Sequence, residues 1–149
     1  NNLIKSLNSN CFSNLSSLEY LSLENNRIKY LENPIFSNLH KLNTINLANN
    51  KIKYLDAQFS NLKSLKNIYL SKNSLSMLNR LDRNSLLLDL SNTKIDFGSF
   101  YLLKNLTKLI DLDLSYNEMK ANILKSLNLS KLEDLKRLIL IRVGLTLND

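Results

Sequence analysis

The sequence predicts an α/β solenoid, a curved stack of coils with short parallel β-strands on its concave face and mostly irregular connections on its convex face. Three observations predict this fold class. The stretch LENNRIKYL at residues 23–31 returns as LANNKIKYL at residues 47–55. Leucine and asparagine recur at fixed offsets, and only 2 Gly and 1 Pro occur in 149 residues. Such a fixed internal period indicates stacked repeats rather than a fold built from varied turns.

The strands are predicted at the L-x-L centre of the template L-x-x-L-x-L-x-x-N-x-I. In an extended segment the two leucines point to one side and the residue between them points to the other. One such strand cannot bury its leucines alone, so copies are expected to stack about 4.8 Å apart as a parallel sheet. The template fits residues 18–28, 42–52, 65–75 and 109–119, and degenerate copies occupy residues 85–95 and 135–145.

Residues 1–149 are therefore expected to form a single domain of about six repeats plus a partial N-terminal one. Solenoid ends need polar caps, and neither end has a cysteine-rich cap, so we expect a segment of a longer chain. The leucine spacing within residues 123–135 predicts one or two turns of helix in that connection.

The asparagine that follows each strand is predicted to form a ladder along the stack. Its amide offers one acceptor and two donors, so it can pair backbone groups that would cost about 1–3 kcal/mol each if buried alone. Thr93 can keep part of the ladder with its hydroxyl, whereas Val143 cannot, so we expect the ladder to end there. The predicted ladder residues are Asn2, Asn26, Asn50, Asn73, Thr93 and Asn117.

A second motif recurs in the connections, where Phe12, Phe36 and Phe59 are each followed by Ser-Asn-Leu. With the ladder, this motif resembles the extracellular type of leucine-rich repeat of roughly 24 residues, as in Toll-like receptor and insect leucine-rich repeat ectodomains. The resemblance covers essentially the whole chain and implies a segment of a leucine-rich repeat horseshoe. Cys11 occupies the position of Ile35 in the next copy, so it is expected to be a small buried apolar residue.

Three N-glycosylation patterns begin at Asn14, Asn105 and Asn128. All three lie in predicted convex connections, where a glycan would project into solvent. They predict an extracellular or luminal glycoprotein, either a cell-surface ectodomain or a secreted protein. The single cysteine excludes an internal disulfide framework, and no apolar run is long enough to span a bilayer.

No catalytic constellation is evident in the sequence. The one histidine, His40, lies in a predicted convex turn, without a cysteine or paired carboxylates that the sequence would bring to it. Neither a glycine-rich phosphate loop nor a Cys/His metal-ligand spacing occurs. We therefore expect no enzymatic activity, no metal site and no cofactor.

Residues between and beside the strand leucines are predicted to form a concave binding face. Like charges on neighbouring strands repel, so Asp89, Asp111 and Asp113 require an explanation. Either water screens them and Arg137 neutralises Asp111 from the next strand, or they form an acidic patch, edged by Tyr69, that receives a basic partner segment. The candidate concave residues are Tyr20, Ser22, Asn46, Asn67, Tyr69, Asp89, Asp111, Asp113 and Arg137.

Basic residues just beyond the asparagines are predicted to stack along one flank. Tyr30 and Tyr54 lie beside them and are expected to pack against the protein, because they recur at a fixed structural position. This basic flank is either solvated surface or a site for phosphates or sulfated glycans with strong salt dependence. The candidate basic flank consists of Lys5, Arg27, Lys29, Lys51 and Lys53.

The predicted function is recognition of a ligand or protein, and the resemblance implies part of a Toll-like or related innate-immune receptor ectodomain. Two alternatives stay open, an extracellular adhesion or matrix protein that binds its own kind and an intracellular leucine-rich repeat scaffold. The net charge of +7 favours anionic partners. The predicted partner is a protein or an anionic ligand, whether glycan, nucleic acid or lipid, and homo- or hetero-dimerisation through the flank or the concave face is also left open.

Overall fold

Most coils of the chain contribute one short strand to a parallel sheet. The computed structural model describes residues 2–55, 59, 61–78, 81, 84–95, 103, 106–119 and 129–144. The strands are β1 (Tyr20–Ser22), β2 (Thr44–Asn46), β3 (Tyr54–Leu55), β4 (Asn67–Tyr69), β5 (Met77–Leu78), β6 (Leu87–Asp89), β7 (Asp111–Asp113) and β8 (Arg137–Ile139). Six of them pair in the order β1-β2-β4-β6-β7-β8, and β3 pairs with β5 in a separate sheet.

The register of the large sheet stacks the central apolar residue of each strand on its equivalent in the next coil. Leu21 lies opposite Ile45, and Leu88 lies opposite Leu112. Ile45, Leu88 and Leu112 are fully buried, whereas Leu21 at the edge of the sheet is only half-buried. The predicted solenoid of short parallel strands around a leucine core is thereby confirmed.

The small sheet lies where the chain has passed the ladder asparagine. Tyr54 pairs with Met77, and Leu55 pairs with Leu78. Leu55 and Leu78 are buried in the core, while Tyr54 is 56% exposed. This second sheet fixes the spacing of neighbouring coils on the flank of the solenoid as well as on its concave face.

The phenylalanines of the connections stack on one another. Ring centroids are 6.0 Å apart for Phe12 and Phe36 and 6.2 Å apart for Phe36 and Phe59. Cys11, beside the first ring, is exposed, although its equivalent Ile35 is buried. The prediction of a buried Cys11 is therefore wrong, because the described residues place no earlier coil against it.

The ladder asparagines join neighbouring coils as Asn50 illustrates. Asn50 Oδ1 accepts the N–H of Ile28 at 3.0 Å. Asn50 Nδ2 donates to Leu23 O at 2.9 Å on the preceding coil and to Leu47 O at 3.0 Å on its own coil. The Nδ2 atoms of Asn73 and Asn117 likewise donate to a leucine carbonyl on each of two coils.

The first two positions of the ladder are less complete. Asn26 is half-buried, and its Oδ1 accepts the N–H of Ile4 at 3.1 Å. Asn2 is exposed and joins the next coil through its backbone N–H, which donates to Asn25 O at 3.2 Å. A complete pattern thus requires a preceding coil that offers the asparagine both a backbone N–H and a leucine carbonyl.

Backbone carbonyls replace the amide at the two degenerate copies. The N–H of Leu75 donates to Thr93 O at 2.7 Å, and the N–H of Met119 donates to Val143 O at 2.9 Å. The Thr93 hydroxyl keeps one ladder bond, donating to Leu90 O at 2.8 Å.

The backbone beside each substitute accounts for this replacement. The residue just after each, Lys94 or Gly144, adopts a left-handed conformation, with φ of 53° and 75°. The residue that directly follows each ladder asparagine does not have a positive φ. The left-handed residue rotates the preceding carbonyl toward the neighbouring coil, so the backbone supplies the missing acceptor.

A left-handed residue also precedes every described ladder position from Asn26 to Val143. This conformation turns the chain off the strand, and it favours Gly, Asn or Asp over other residues. Three of the six are asparagines, which explains how so few glycines suffice. The residues, with φ between 51° and 59°, are Asn25, Asn49, Lys72, Asn92, Tyr116 and Arg142.

Helical structure is sparse in the described part of the chain. A short 3-10 helix spans Leu129–Lys131. It falls within the segment 123–135, where the sequence predicts one or two turns of helix. The first part of that segment, residues 123–128, lies outside the described residues. No helix in the described ranges is long and apolar enough to cross a membrane.

Candidate binding surfaces

The concave face carries two columns of side chains that flank the buried central column. The first column consists of Tyr20, Thr44, Asn67, Leu87, Asp111 and Arg137. The second column consists of Ser22, Asn46, Tyr69, Asp89, Asp113 and Ile139. Tyr20 is 58% exposed and Arg137 is also exposed, while most of the residues between them are half-buried. All nine candidate concave residues therefore lie on one surface.

The carboxylates of the second column have a structural use. Asp89 Oδ1 accepts the N–H of Ser91 at 2.9 Å, and Asp113 Oδ1 accepts the N–H of Ser115 at 2.9 Å. Asn46 Oδ1 does the same for Ala48 at 3.0 Å. An acceptor at this position satisfies the backbone where the strand ends, so an amide can do so as well as a carboxylate.

Asp111 in the first column is paired with Arg137 on the next strand. Arg137 Nε donates to Asp111 Oδ2 at 2.9 Å, and Arg137 Nη2 contacts the same oxygen. This hydrogen bond and the charge of Asp111 raise the pKa of Arg137 above its usual value. The neutralisation of Asp111 that the sequence indicated is thus present, while Asp89 and Asp113 form no ion pair within the described ranges.

The other half of the concave face is polar and nearly neutral. Asn67 Nδ2 donates to Thr44 Oγ1 at 3.0 Å, and Asn46 Nδ2 donates to Glu24 Oε2 at 3.0 Å. The charge on the face is therefore graded, from mostly neutral amides and hydroxyls at β1, β2 and β4 to carboxylates at β6 and β7.

The basic flank forms because the second residue past each of two asparagines, Asn26 and Asn50, is buried. Ile28 and Ile52 are fully buried, so the residues on either side of each point outward. Backbone bonds hold the coils in register, with Arg27 N donating to Ile4 O and Lys51 N donating to Ile28 O, each at 2.9 Å. The five candidates Lys5, Arg27, Lys29, Lys51 and Lys53 are all exposed.

Tyr30 and Tyr54 are not packing residues, which corrects the expectation from their fixed position. They are 61% and 56% exposed. The next residue in each copy, Leu31 or Leu55, takes the buried position instead. The repeat thus fixes the place of the tyrosine without requiring its ring in the core.

These tyrosines and lysines line an open groove on the flank. Its volume is about 490 Å³, and its lining residues are Lys29, Tyr30, Lys51, Lys53, Tyr54 and Ser74. This volume falls in the range of about 300–1,000 Å³ typical of ligand sites. A second depression, of about 400 Å³, is lined by Glu19, Lys41, Asn43, Ser64 and Lys66.

The described ranges contain no candidate metal site. No group of three or more His, Cys, Asp or Glu side chains there could hold a metal ion. His40 is exposed. Of the glycosylation patterns, Asn14 is exposed, and Asn105 and Asn128 lie outside the described residues.

Comparisons with known proteins agree with this architecture. Residues 21–75 match the family profile described as "Leucine rich repeat". Among solved structures, internalin C2 from Listeria monocytogenes matches with a TM-score of 0.71 and 22% identity, over 89% of this chain. The chain spans 56% of the length of that internalin chain. No curated protein matches it significantly. The extracellular, Toll-like subtype stays a prediction.

Proposed function

We propose that this chain, which is a leucine-rich repeat protein, is a non-enzymatic scaffold that binds a protein partner on its concave sheet. Proteins of this family typically bind other proteins without catalysing a reaction. The stacked coils create an extended concave surface, the kind of surface that repeat proteins use for binding.

The observation that carries this proposal is the graded charge of the concave face. Asp89 and Asp113 are neighbours on adjacent strands. Each uses one carboxylate oxygen to accept a backbone N–H. Neither forms an ion pair with a described residue, although the charge of Asp113 also acts on Arg137. A Lys- or Arg-containing segment lying across β6 and β7 would relieve the repulsion between them.

The partner class is tested on the folded chain with an array of basic, neutral and acidic peptides. D89N/D113N removes both charges but keeps an Oδ1 acceptor for Ser91 and Ser115, as Asn46 shows. We expect this variant to lose selective binding of basic peptides. The control E118Q/E133Q removes two exposed carboxylates elsewhere, and it should bind as the parent does. Equal binding by all three proteins would refute the proposed surface.

We further propose that the scaffold belongs to the ectodomain of a Toll-like or related innate-immune surface receptor. The convex phenylalanine motif and the exposed Asn14 support this location. In the native protein we expect N-linked glycan at Asn14, detected as a mass loss after N-glycosidase treatment. An unmodified Asn14 in protein isolated from its natural source would count against the proposed location.

A second candidate is homophilic adhesion. The same chain carries an acidic concave face and a basic flank, so one copy could contact another through complementary surfaces in a head-to-tail manner. Sedimentation at low and high salt distinguishes the two candidates. Salt-sensitive self-association that D89N/D113N abolishes would favour adhesion, whereas a monomer at all concentrations would exclude it.

A further inference from the structure

The basic flank concentrates positive charge that no described residue neutralises in an ion pair. Lys5, Arg27, Lys29, Lys51 and Lys53 are exposed, and none of them forms an ion pair with another described residue. Neighbouring coils lie about 4.8 Å apart where they pair as strands. Five cations therefore occupy three successive coils over a length of about 10 Å.

Aromatic rings border the same cations. Tyr30 and Tyr54 stand side by side along one edge of the groove, with more than half of each side chain exposed. Lys51 and Ser74 occupy the repeat position three residues before that of the tyrosines, Lys29 and Lys53 occupy the position directly before it, and all four line the same groove. A ligand in the groove would thus meet flat apolar surface and phenolic hydroxyls on one side and ammonium groups on the other.

We propose that this groove binds a sulfated polysaccharide. The C–H faces of sugar rings would pack on Tyr30 and Tyr54, whose hydroxyls would hydrogen-bond sugar hydroxyls. Sulfates and carboxylates would accept hydrogen bonds from Lys29, Lys51 and Lys53, and Lys5 and Arg27 would extend the contact along the chain axis. This site is separate from the concave face and takes a different class of ligand.

The exposed tyrosine rings favour a sulfated polysaccharide over duplex nucleic acid. One strand of a duplex carries a phosphate about every 3.4 Å, so about three of its phosphates would face the five cations. The paired and stacked bases of a duplex would leave no ring faces for the tyrosines. A sulfated sugar polymer carries anionic groups on both edges of its rings, in addition to the ring faces that the tyrosines require.

The test uses the folded chain and immobilised heparin over a series of salt concentrations. K29Q/K51Q/K53Q should weaken binding on the order of tenfold or more and reduce the slope of log K against log salt to roughly two-fifths, since two of five cations remain. Y30A/Y54A should weaken binding several-fold and leave the slope unchanged. Circular dichroism and thermal unfolding verify that each variant keeps its fold.

Three comparisons can overturn the proposal. K41Q/K63Q/K66Q removes three exposed lysines outside the groove. If it weakened heparin binding as much as K29Q/K51Q/K53Q does, the net charge of the chain, and not the groove, would account for binding. A single-stranded oligonucleotide that binds as tightly as a heparin fragment of equal charge would assign the groove to nucleic acid instead. Unchanged affinity after the tyrosine substitutions would remove the role of the sugar rings.

Discussion

The N–H of Leu75 donates to the backbone carbonyl of Thr93 at 2.7 Å, where earlier coils use the side chain of an asparagine. The cross-coil hydrogen bond is therefore kept when the asparagine is lost. Its cost is a left-handed backbone at Lys94, with φ of 53°.

Lys94→Gly should stabilise the chain. A left-handed conformation costs a non-glycine residue about 1–2 kcal/mol, and part of the gain is offset by the greater freedom of glycine in the unfolded chain. We expect the free energy of unfolding to rise by about 0.5–1 kcal/mol in urea titrations. Lys51→Gly, at the equivalent position after Asn50 without a positive φ, should instead destabilise. Equal losses in both variants would contradict the role given to Lys94.

Asn50→Ala should be among the most damaging changes on the ladder. It leaves the buried N–H of Ile28 without its acceptor and removes amide donors from two leucine carbonyls. We expect a loss of about 3 kcal/mol, from one orphaned donor and the lost hydrogen bonds. Asn26→Ala should cost about 1 kcal/mol, because water can reach its half-buried site. Urea midpoints measure the difference, and equal losses would argue against burial as the cause.

Asp89→Ala and Asp89→Asn should differ in stability. Alanine removes the acceptor for the N–H of Ser91 and should cost about 1 kcal/mol, whereas asparagine keeps that acceptor and should be nearly neutral. Thermal unfolding of the two single variants measures the difference. If both variants lose stability to the same extent, the charge of Asp89, and not its hydrogen bond, supports the fold.

The Cys11 thiol should be accessible but slow to react. It is exposed, and partial burial raises the pKa of the thiol above its ordinary value. Since the thiolate is the reactive form, alkylation by iodoacetamide should proceed without denaturant, accelerate as the pH rises above 8, and be slower than in the unfolded chain. Labelling that requires denaturant would show that the thiol is buried.

The strands and their register were predictable because the repeat period specifies both. Leu21 and Ile45 occupy the same template position, and stacking equivalent positions is the arrangement that buries both. The asparagine ladder followed from the same reasoning, since an amide at that offset can reach two coils. These offsets alone predict the basic flank and the concave columns.

Features that depend on a neighbouring coil, or on the choice between two backbone conformations, could not be predicted. Cys11 has the apolar position of Ile35 but no described coil to cover it. Tyr30 recurs as Tyr54, and such recurrence predicts burial, but the leucine after each tyrosine takes the core position. The Thr93 carbonyl that replaces the amide depends on the left-handed φ of Lys94. Only the other degenerate copy, where Gly144 follows Val143, has a residue at this position that favours such a φ.

The shared hydrogen bonds of the ladder make the coils of Asn50 and Asn73 interchangeable modules. Each offers its neighbour the same acceptor and takes the same donor, so duplicating one in the gene creates no new kind of junction. The near-identity of residues 23–31 and 47–55 fits growth by such duplication. The copies at Thr93 and Val143 require a special backbone, so evolution can lengthen this protein more readily in its first half than in its second.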